Sequence, residues 1–416
     1  MTTPRSRAAL AATVGALVLS ALPAASAQAA PRRAAEAWAT PGATAITITG
    51  HGYGHGKGLS QYGARGAASQ GLTWRQIAEF YYPGTTWGTV KGSLRVLITA
   101  DTGRDVQVVA RPGIAVTSLK NKRTWRLPAT TSTRAKKWRL VAGRGARSSD
   151  TLVQRRAGNR WRTWRRVPGE AELSSARGPL TLVTPGGRTS YRGRLQSVAA
   201  RGDAKRQTVN KVGMEAYLRG VVPREVPALW APDAVSAQSV AARTYAAFER
   251  SHPAARHYDL CDTTQCQVYG GVDAEHPGAT AAIRATAKQG LLHDGRPAFT
   301  QFSASNGGYS AAGSMPYLVA QPDPYDGIDN PHATWTATVD DTRVEKHWPG
   351  IGDLTAIEVV SRDGNGDWGG RVTEVAFVGD QATATVDGDT VRSYFGLQSD
   401  WFTFAVAPRQ KGPARQ

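Results

Sequence analysis

One glutamate stands out for its surroundings. In "YLRGVVPREVPALW", Glu225 is hemmed by Pro223, Val226, Pro227 and Trp230. Prolines hold the backbone that carries the carboxyl group, and apolar neighbours disfavour its ionised form and raise its pKa. Such a group suits general acid catalysis near neutral pH, although the same composition also fits a glutamate on a surface turn. Downstream, "HYDLCDTTQCQVYGG" brings His257, Cys261 and Cys266 into one short loop. A histidine and two thiolates are ligands of the kind zinc takes, with a fourth position open to water or a carboxylate. A disulfide between Cys261 and Cys266, the only 2 cysteines of the chain, is the alternative, and it leaves His257 incidental.

Three further stretches hold polar side chains in turn-like settings. "SASNGG", Ser303 to Gly308, is suited to line a cleft with hydroxyl and amide donors. It lacks the G-x-S-x-G pattern of a nucleophile elbow, so no serine hydrolase is read from it. "DGNGDWGGRVTE" sets Asp363, Asn365, Asp367 and Glu374 in the order of a calcium loop. Trp368 sits where that loop needs glycine and the flanks read as strands, so the stretch is expected to be a hairpin turn. "ITGHGYGHGKGLSQYGARG", Ile48 to Gly66, lacks both the P-loop and the dinucleotide spacing. His51 and His55 are at helical spacing, but alternating glycines argue against a helix, so they make no metal pair by themselves.

The elements that must position these groups change character along the chain. Thr73 and Gln76 form a capping box for a short helix that turns Ile77, Phe80 and Tyr81 inward, stopped by Pro83-Gly84. From Ser93 to about Ala200, runs such as "SLRVLITA", "DVQVVA" and "IAVTSL" alternate apolar and polar residues, the period of half-buried strands. Within this region Lys120 to Arg166 is densely basic, with Trp125, Trp138, Trp161 and Trp164 interleaved and Asp150 its only acid. Such a patch fits a stacking groove for single-stranded nucleic acid, or, as expected outside a cell, a solvated β surface with tryptophans half in the core. The pattern turns helical at Pro232, where Ala237, Val240, Ala241, Thr244, Tyr245 and Phe248 recur at helical spacing. A second helix is expected from Pro277 to Gln289, closed by Gly290.

The chain of 416 residues opens with Arg5 and Arg7 ahead of an apolar run ending in "ASAQA", the pattern of a cleaved secretory signal peptide. Its formal net charge of +19 draws a secreted protein towards polyanions. The expected organisation is a signal peptide over 1–29, a linker over 30–45, a Gly/His-rich loop with a short helix over 46–90, a main domain over 91–405 and a disordered tail over 406–416. The fold class is α+β, largely β with a helical insert.

Taken together, "MEAYLRGVVPREVPALWAPDAVSAQSVAARTYA", "CDTTQCQVYGG", "FSASNGG", "PYLVAQPDPYD" and "GHGKGLSQYGA" resemble the SpoIID/LytB family of lytic transglycosylases, which cut bacterial peptidoglycan. The resemblance covers nearly the whole mature chain. It implies Glu225 as the catalytic acid and base at the bond from N-acetylmuramic acid to N-acetylglucosamine, in glycan stripped of its stem peptides, leaving 1,6-anhydro ends. It implies substrate contacts from His55, Gln61, Tyr62, Arg243, Gln267, Tyr269, Ser305 and Asn306, and zinc held by His257, Cys261 and Cys266, with the disulfide still the alternative. In the family the "GHGxGMSQYGA" segment closes the domain, whereas here it comes first. The chain is therefore expected to be circularly permuted, with His55, Gln61 and Tyr62 facing the cleft of Glu225. The implied partners are peptidoglycan glycan strands and anionic wall polymers, with no nucleic acid. A non-catalytic wall-binding or amidase-activating protein of the same fold is the other reading. A role in sporulation does not carry over with the fold.

Overall fold

The structure, a computed structural model, describes residues 36–40, 45–128, 135–145, 148–200 and 206–407. The expected signal peptide lies outside the described residues, as does the tail beyond Ala407. The segment read as a linker needs correction. Glu36–Ala39 is a strand paired antiparallel to Leu354–Arg362.

The alternating runs after Ser93 form two sheets that share a core, making the molecule α+β and mostly β. The seven-stranded sheet runs Leu260–Cys261, Ser93–Leu97, Arg206–Gly213, Arg194–Ala199, Ala171–Ser175, Ile114–Ser118, Thr124–Arg126. The six-stranded sheet includes Asp105–Val109, Lys137–Ala142, Thr151–Ala157 and Arg160–Val167. Val96, Val108, Leu140, Leu173 and Leu195 fill the space between them. The tryptophans of the basic segment serve this core or cover the arginines. Trp138 is buried, Trp125 and Trp164 pack against the same cluster, and Arg139 lies 4.2 Å over the ring of Trp161. This is the solvated β surface rather than a row of free stacking rings.

Helices form where apolar residues recur at three and four. α1 (Gln61–Ser69) is capped by Ser60, whose hydroxyl accepts from Gly63 N at 3.0 Å. α2 (Trp74–Tyr81) starts with the capping box expected of Thr73 and Gln76. It buries Ile77 and Tyr81 and leaves Phe80 half-buried. α3 (Met214–Glu225) and α4 (Pro232–Ser251) follow the last strand of the seven-stranded sheet. α5 (Pro277–Ala285) is shorter than expected, because Gln289–His293 is claimed as a strand against Thr86–Thr89. Lys288, at φ 61°, makes the turn between them.

The front of the chain is stitched to its back. Strand Ala45–Gly50 lies between Trp335–Asp340 and Phe402–Ala407, antiparallel to both. Ile46 and Ile48 are fully buried there in a cluster with Trp335, Phe377 and Phe402. Asp363 to Glu374 spans the expected hairpin turn between Leu354–Arg362 and Val372–Gly379. Asp363 turns its carboxylate to the amides of Asn365 and Arg371 at 3.1 and 3.0 Å.

Candidate active site

Glu225 is the last residue of a helix, not part of a free turn. Met214, Tyr217, Leu218, Val221 and Val222 recur at helical spacing and are all buried, which drives α3 through Pro223 to Glu225. The chain then leaves in extended backbone at Val226, and Pro232 starts α4. This geometry turns the Glu225 carboxyl into a cleft of about 330 Å³ lined by His55, Gln61, Tyr245, Gln267, Phe302 and Ser303. Burial pushes its pKa up to about 7, against the opposing pull of hydrogen bonds from Val268 N and the Gln61 side chain and of the Arg224 charge. Val268 N donates to Glu225 Oε1 at 3.2 Å. The group is an acid that is half protonated near neutrality and has two donors ready for its carboxylate form.

The opposite wall comes from the glycine-rich front segment. Leu59–Ser60 pairs in parallel with Phe302–Ser303, and Tyr53 bridges to Ser305. Gly58 sits at φ 66°, where a Cβ would lie 2.1 Å from the Gln301 carbonyl oxygen. Gly56, at φ 67°, leaves room for the Arg371 guanidinium, which donates to Asn306 O at 3.0 Å and pairs with Asp400. His55 Nδ1 accepts from Lys57 N at 3.0 Å, so the neutral ring carries its proton on Nε2. Burial, with the charges of Lys57 and Arg371, lowers its pKa to about 4. At neutral pH His55 is therefore an uncharged donor.

The third wall is the loop after the second cysteine. Cys261 and Cys266 are bonded to one another, with Cα atoms 5.5 Å apart. His257 is elsewhere: its Nε2 lies 2.5 Å from Gln207 Oε1 and it lines a separate groove. Among the described residues no group of three His, Cys, Asp or Glu side chains is placed to hold a metal. Sulfurs tied to each other and a histidine turned away do not fit a zinc ion. Gln267 forms part of the cleft wall, with its amide fixed by Tyr217 OH at 3.0 Å and Ala242 O at 3.3 Å.

Several residues expected to touch substrate are framework instead. Ser305 and Asn306 are fully buried. Ser305 Oγ donates to Asp326 at 2.7 Å and Asn306 Nδ2 to Asp323 at 2.7 Å, in a network that also takes the Ser60 and Tyr81 hydroxyls. Arg243 is fully buried and grips Glu215 through Nε at 3.0 Å and Nη2 at 2.8 Å, tying α4 to α3. Tyr269 is buried and donates to Asn210 at 2.9 Å. Tyr62 stands beside the cleft, edge-on to Trp230 and His332 at 5.2 and 5.4 Å. His55, Gln61 and Gln267 are the expected contacts that line the cleft with Glu225. Sequence reasoning missed Tyr245, Gln301 and Phe302. Their signal was available in "TQFSAS", the strand leading into the stretch already noted, and in Tyr245 on the helical stripe.

The chain resembles known proteins over part of its length. Residues 202–293 match the SpoIID family model, described as Stage II sporulation protein. The amidase enhancer of Bacillus subtilis is 37% identical over 128 residues, which is 29% of this chain and 17% of that protein. Stage II sporulation protein D of the same organism is 50% identical over 48 residues, 12% of this chain and 14% of that protein. An uncharacterized protein of Brachyspira hyodysenteriae is 34% identical over 115 residues, 27% of this chain and 31% of that protein. The match thus spans less than a third of each relative's length.

Proposed function

Because the chain belongs to the SpoIID family, whose members are cell-wall related, we propose that it is a lytic transglycosylase of peptidoglycan. The observation that carries this reading is a buried glutamic acid, its pKa pushed up to about 7, facing a polar cleft. Glu225 in its protonated form donates to the oxygen of the bond from N-acetylmuramic acid to N-acetylglucosamine. The resulting carboxylate, held by Val268 N and Gln61, then takes the proton of the muramic acid C6 hydroxyl as that oxygen closes onto C1. A 1,6-anhydro ring forms, and Glu225 returns to its acid form. Because the nucleophile belongs to the sugar, no second carboxylate is required. Nε2–H of His55 and the amide of Gln61 are the donors available to sugar hydroxyls.

The test is digestion of peptide-free glycan strands with wild type and Glu225→Gln, read by mass spectrometry. Wild type is expected to yield anhydro-muramic ends and the variant to lose them by at least about a hundredfold. Equal product from both sinks the reading, and reducing ends in place of anhydro ends make the protein a hydrolase.

A second reading follows from the name of the amidase enhancer relative. A protein of the same fold that binds wall glycan and stimulates an amidase keeps the cleft without turnover. Amidase stimulation that persists in Glu225→Gln, with no glycan product from wild type, favours it.

Secretion through the 1–29 segment belongs to the same proposal. Among the described residues no helix is long and apolar enough to cross a membrane.

A further inference from the structure

The outer face of the seven-stranded sheet carries a groove that shares no lining residue with the Glu225 cleft. It consists of two adjoining hollows of about 540 and 460 Å³ with Leu119, Lys122 and Lys211 common to both. Strand register sets Arg95 directly opposite Lys211, and Lys211 directly opposite Arg194. Directly opposed residues share a face, so three cations stand in a row across three strands, roughly 4.8 Å from strand to strand. Like charges so opposed destabilise a sheet. Carboxylates at its two ends, Asp259 on Arg95 and Glu172 on Arg194, relieve that repulsion.

The acids nearby pair with the two ends of this row and leave its middle, Lys211, without one. Asp259 is taken by Arg95 at 2.6 Å and Glu172 by Arg194 and Gln196. Glu170 accepts from Ala199 N at 2.7 Å and lies 3.6 Å from Arg206. Lys211, Lys122 and Arg256 have no acidic partner among the described residues, and all three are exposed. Lys122 is aimed by a turn at φ 61° whose ammonium donates to Leu119 O at 2.8 Å.

We propose that this groove binds a phosphodiester-linked polyol polymer of the cell wall, with its phosphates on Lys122, Lys211 and Arg256. Several exposed cations without acidic partners suit a flexible chain that carries a charge on every unit. Thr117, Thr124 and Ser174 line the second hollow, the first two with their hydroxyls bonded to each other at 2.8 Å, and give a polyol backbone a hydroxyl-bearing surface. Apart from His257 no aromatic ring lines either hollow, so the stacking platform that single-stranded nucleic acid requires is missing. The wall as the source of the polymer rests on the function proposed above; the anion chemistry does not.

The experiment is calorimetric titration of the full chain with poly(glycerol phosphate) over a series of salt concentrations. Wild type is expected to bind, with log affinity falling linearly in log salt as counterions are released. The triple variant Lys122→Gln, Lys211→Gln, Arg256→Gln is expected to bind about tenfold more weakly or worse, with a shallower salt slope, while its thermal stability and glycan cleavage stay at wild-type level. Arg160→Gln with Arg162→Gln, on an exposed strand of the other sheet, is expected to bind as wild type. So is Glu225→Gln, which separates this result from any failure of the catalytic reading. No binding by wild type overturns the proposal, as does undiminished binding by the triple variant. Tighter binding of a single-stranded oligonucleotide at equal salt, lost in the same variant, also overturns it in favour of nucleic acid.

Discussion

Glu225 and His55 face one cleft with their proton affinities displaced in opposite directions, one up to about 7 and the other down to about 4. Glycan cleavage at limiting substrate is expected to hold on the acid side of about pH 7 and to fall above it, as the free enzyme loses the proton it must donate. Its lower limit is expected near pH 4, where His55 becomes charged. The same displacement has a cost in stability. Glu225 has a folded pKa above its ordinary value of 4.5, so the folded state holds the proton more tightly than the unfolded chain. Stability therefore declines as pH rises from about 4.5 to 7 and stays lower above that window, by about 3 kcal/mol. Glu225→Gln is expected to raise the melting temperature at pH 8 and to leave it little changed at pH 4. A pH-independent effect of the substitution would mean that the carboxyl is not desolvated. The resemblance and the residue types gave Glu225, His55 and Gln61 correctly as neighbours. They could not separate contact from framework at Ser305, Asn306, Arg243 and Tyr269, because the same polar side chains satisfy a ligand or a buried network, and only burial tells which.

At the scale of elements, the cleft is where α3 ends, the loop after Cys266 passes, and the front segment crosses Phe302–Ser303. Arg243 joins two of the helices that set this arrangement, bonding Glu215 on α3 and the Ile283 carbonyl of α5 at 3.2 Å. Arg243→Met is expected to destabilise the fold by about 3–5 kcal/mol, since it leaves Glu215 and buried carbonyls unmatched. In permissive conditions its KM for glycan stays near wild type, whereas a substrate-contact role would raise KM at unchanged melting temperature. Gly58→Ala forces a left-handed backbone on a residue with a Cβ and a contact 2.1 Å from Gln301 O. A loss of at least about 1 kcal/mol is expected, together with reduced cleavage, measured by denaturant unfolding and product assay. Strands and caps were legible because alternation and the Thr73 capping box are local. α3 was not read as a helix, since Pro223 and Pro227 suggest a turn, although Met214, Tyr217, Leu218, Val221 and Val222 carry the helical period. α5 was read too long, because pairing of Gln289–His293 with residues far back in sequence leaves no local mark.

At the scale of the whole molecule, a bonded Cys261–Cys266 pair and a His257 whose Nε2 is engaged by Gln207 predict a protein indifferent to chelators. Mass spectrometry of the unreduced chain is expected to find no free thiol and no stoichiometric zinc; one zinc per chain released together with two thiols would contradict it. The seating of Ala45–Gly50 between Trp335–Asp340 and Phe402–Ala407 has a further bearing, on time. Synthesis delivers Ala45–Gly50 long before either of its neighbours, Trp335–Asp340 and Phe402–Ala407. One wall of the cleft must therefore wait for its last pairing until Phe402–Ala407 has been made. A chain cut short before Phe402 is expected to keep its central sheets and yet lack a working cleft, so that incomplete copies are inert towards glycan.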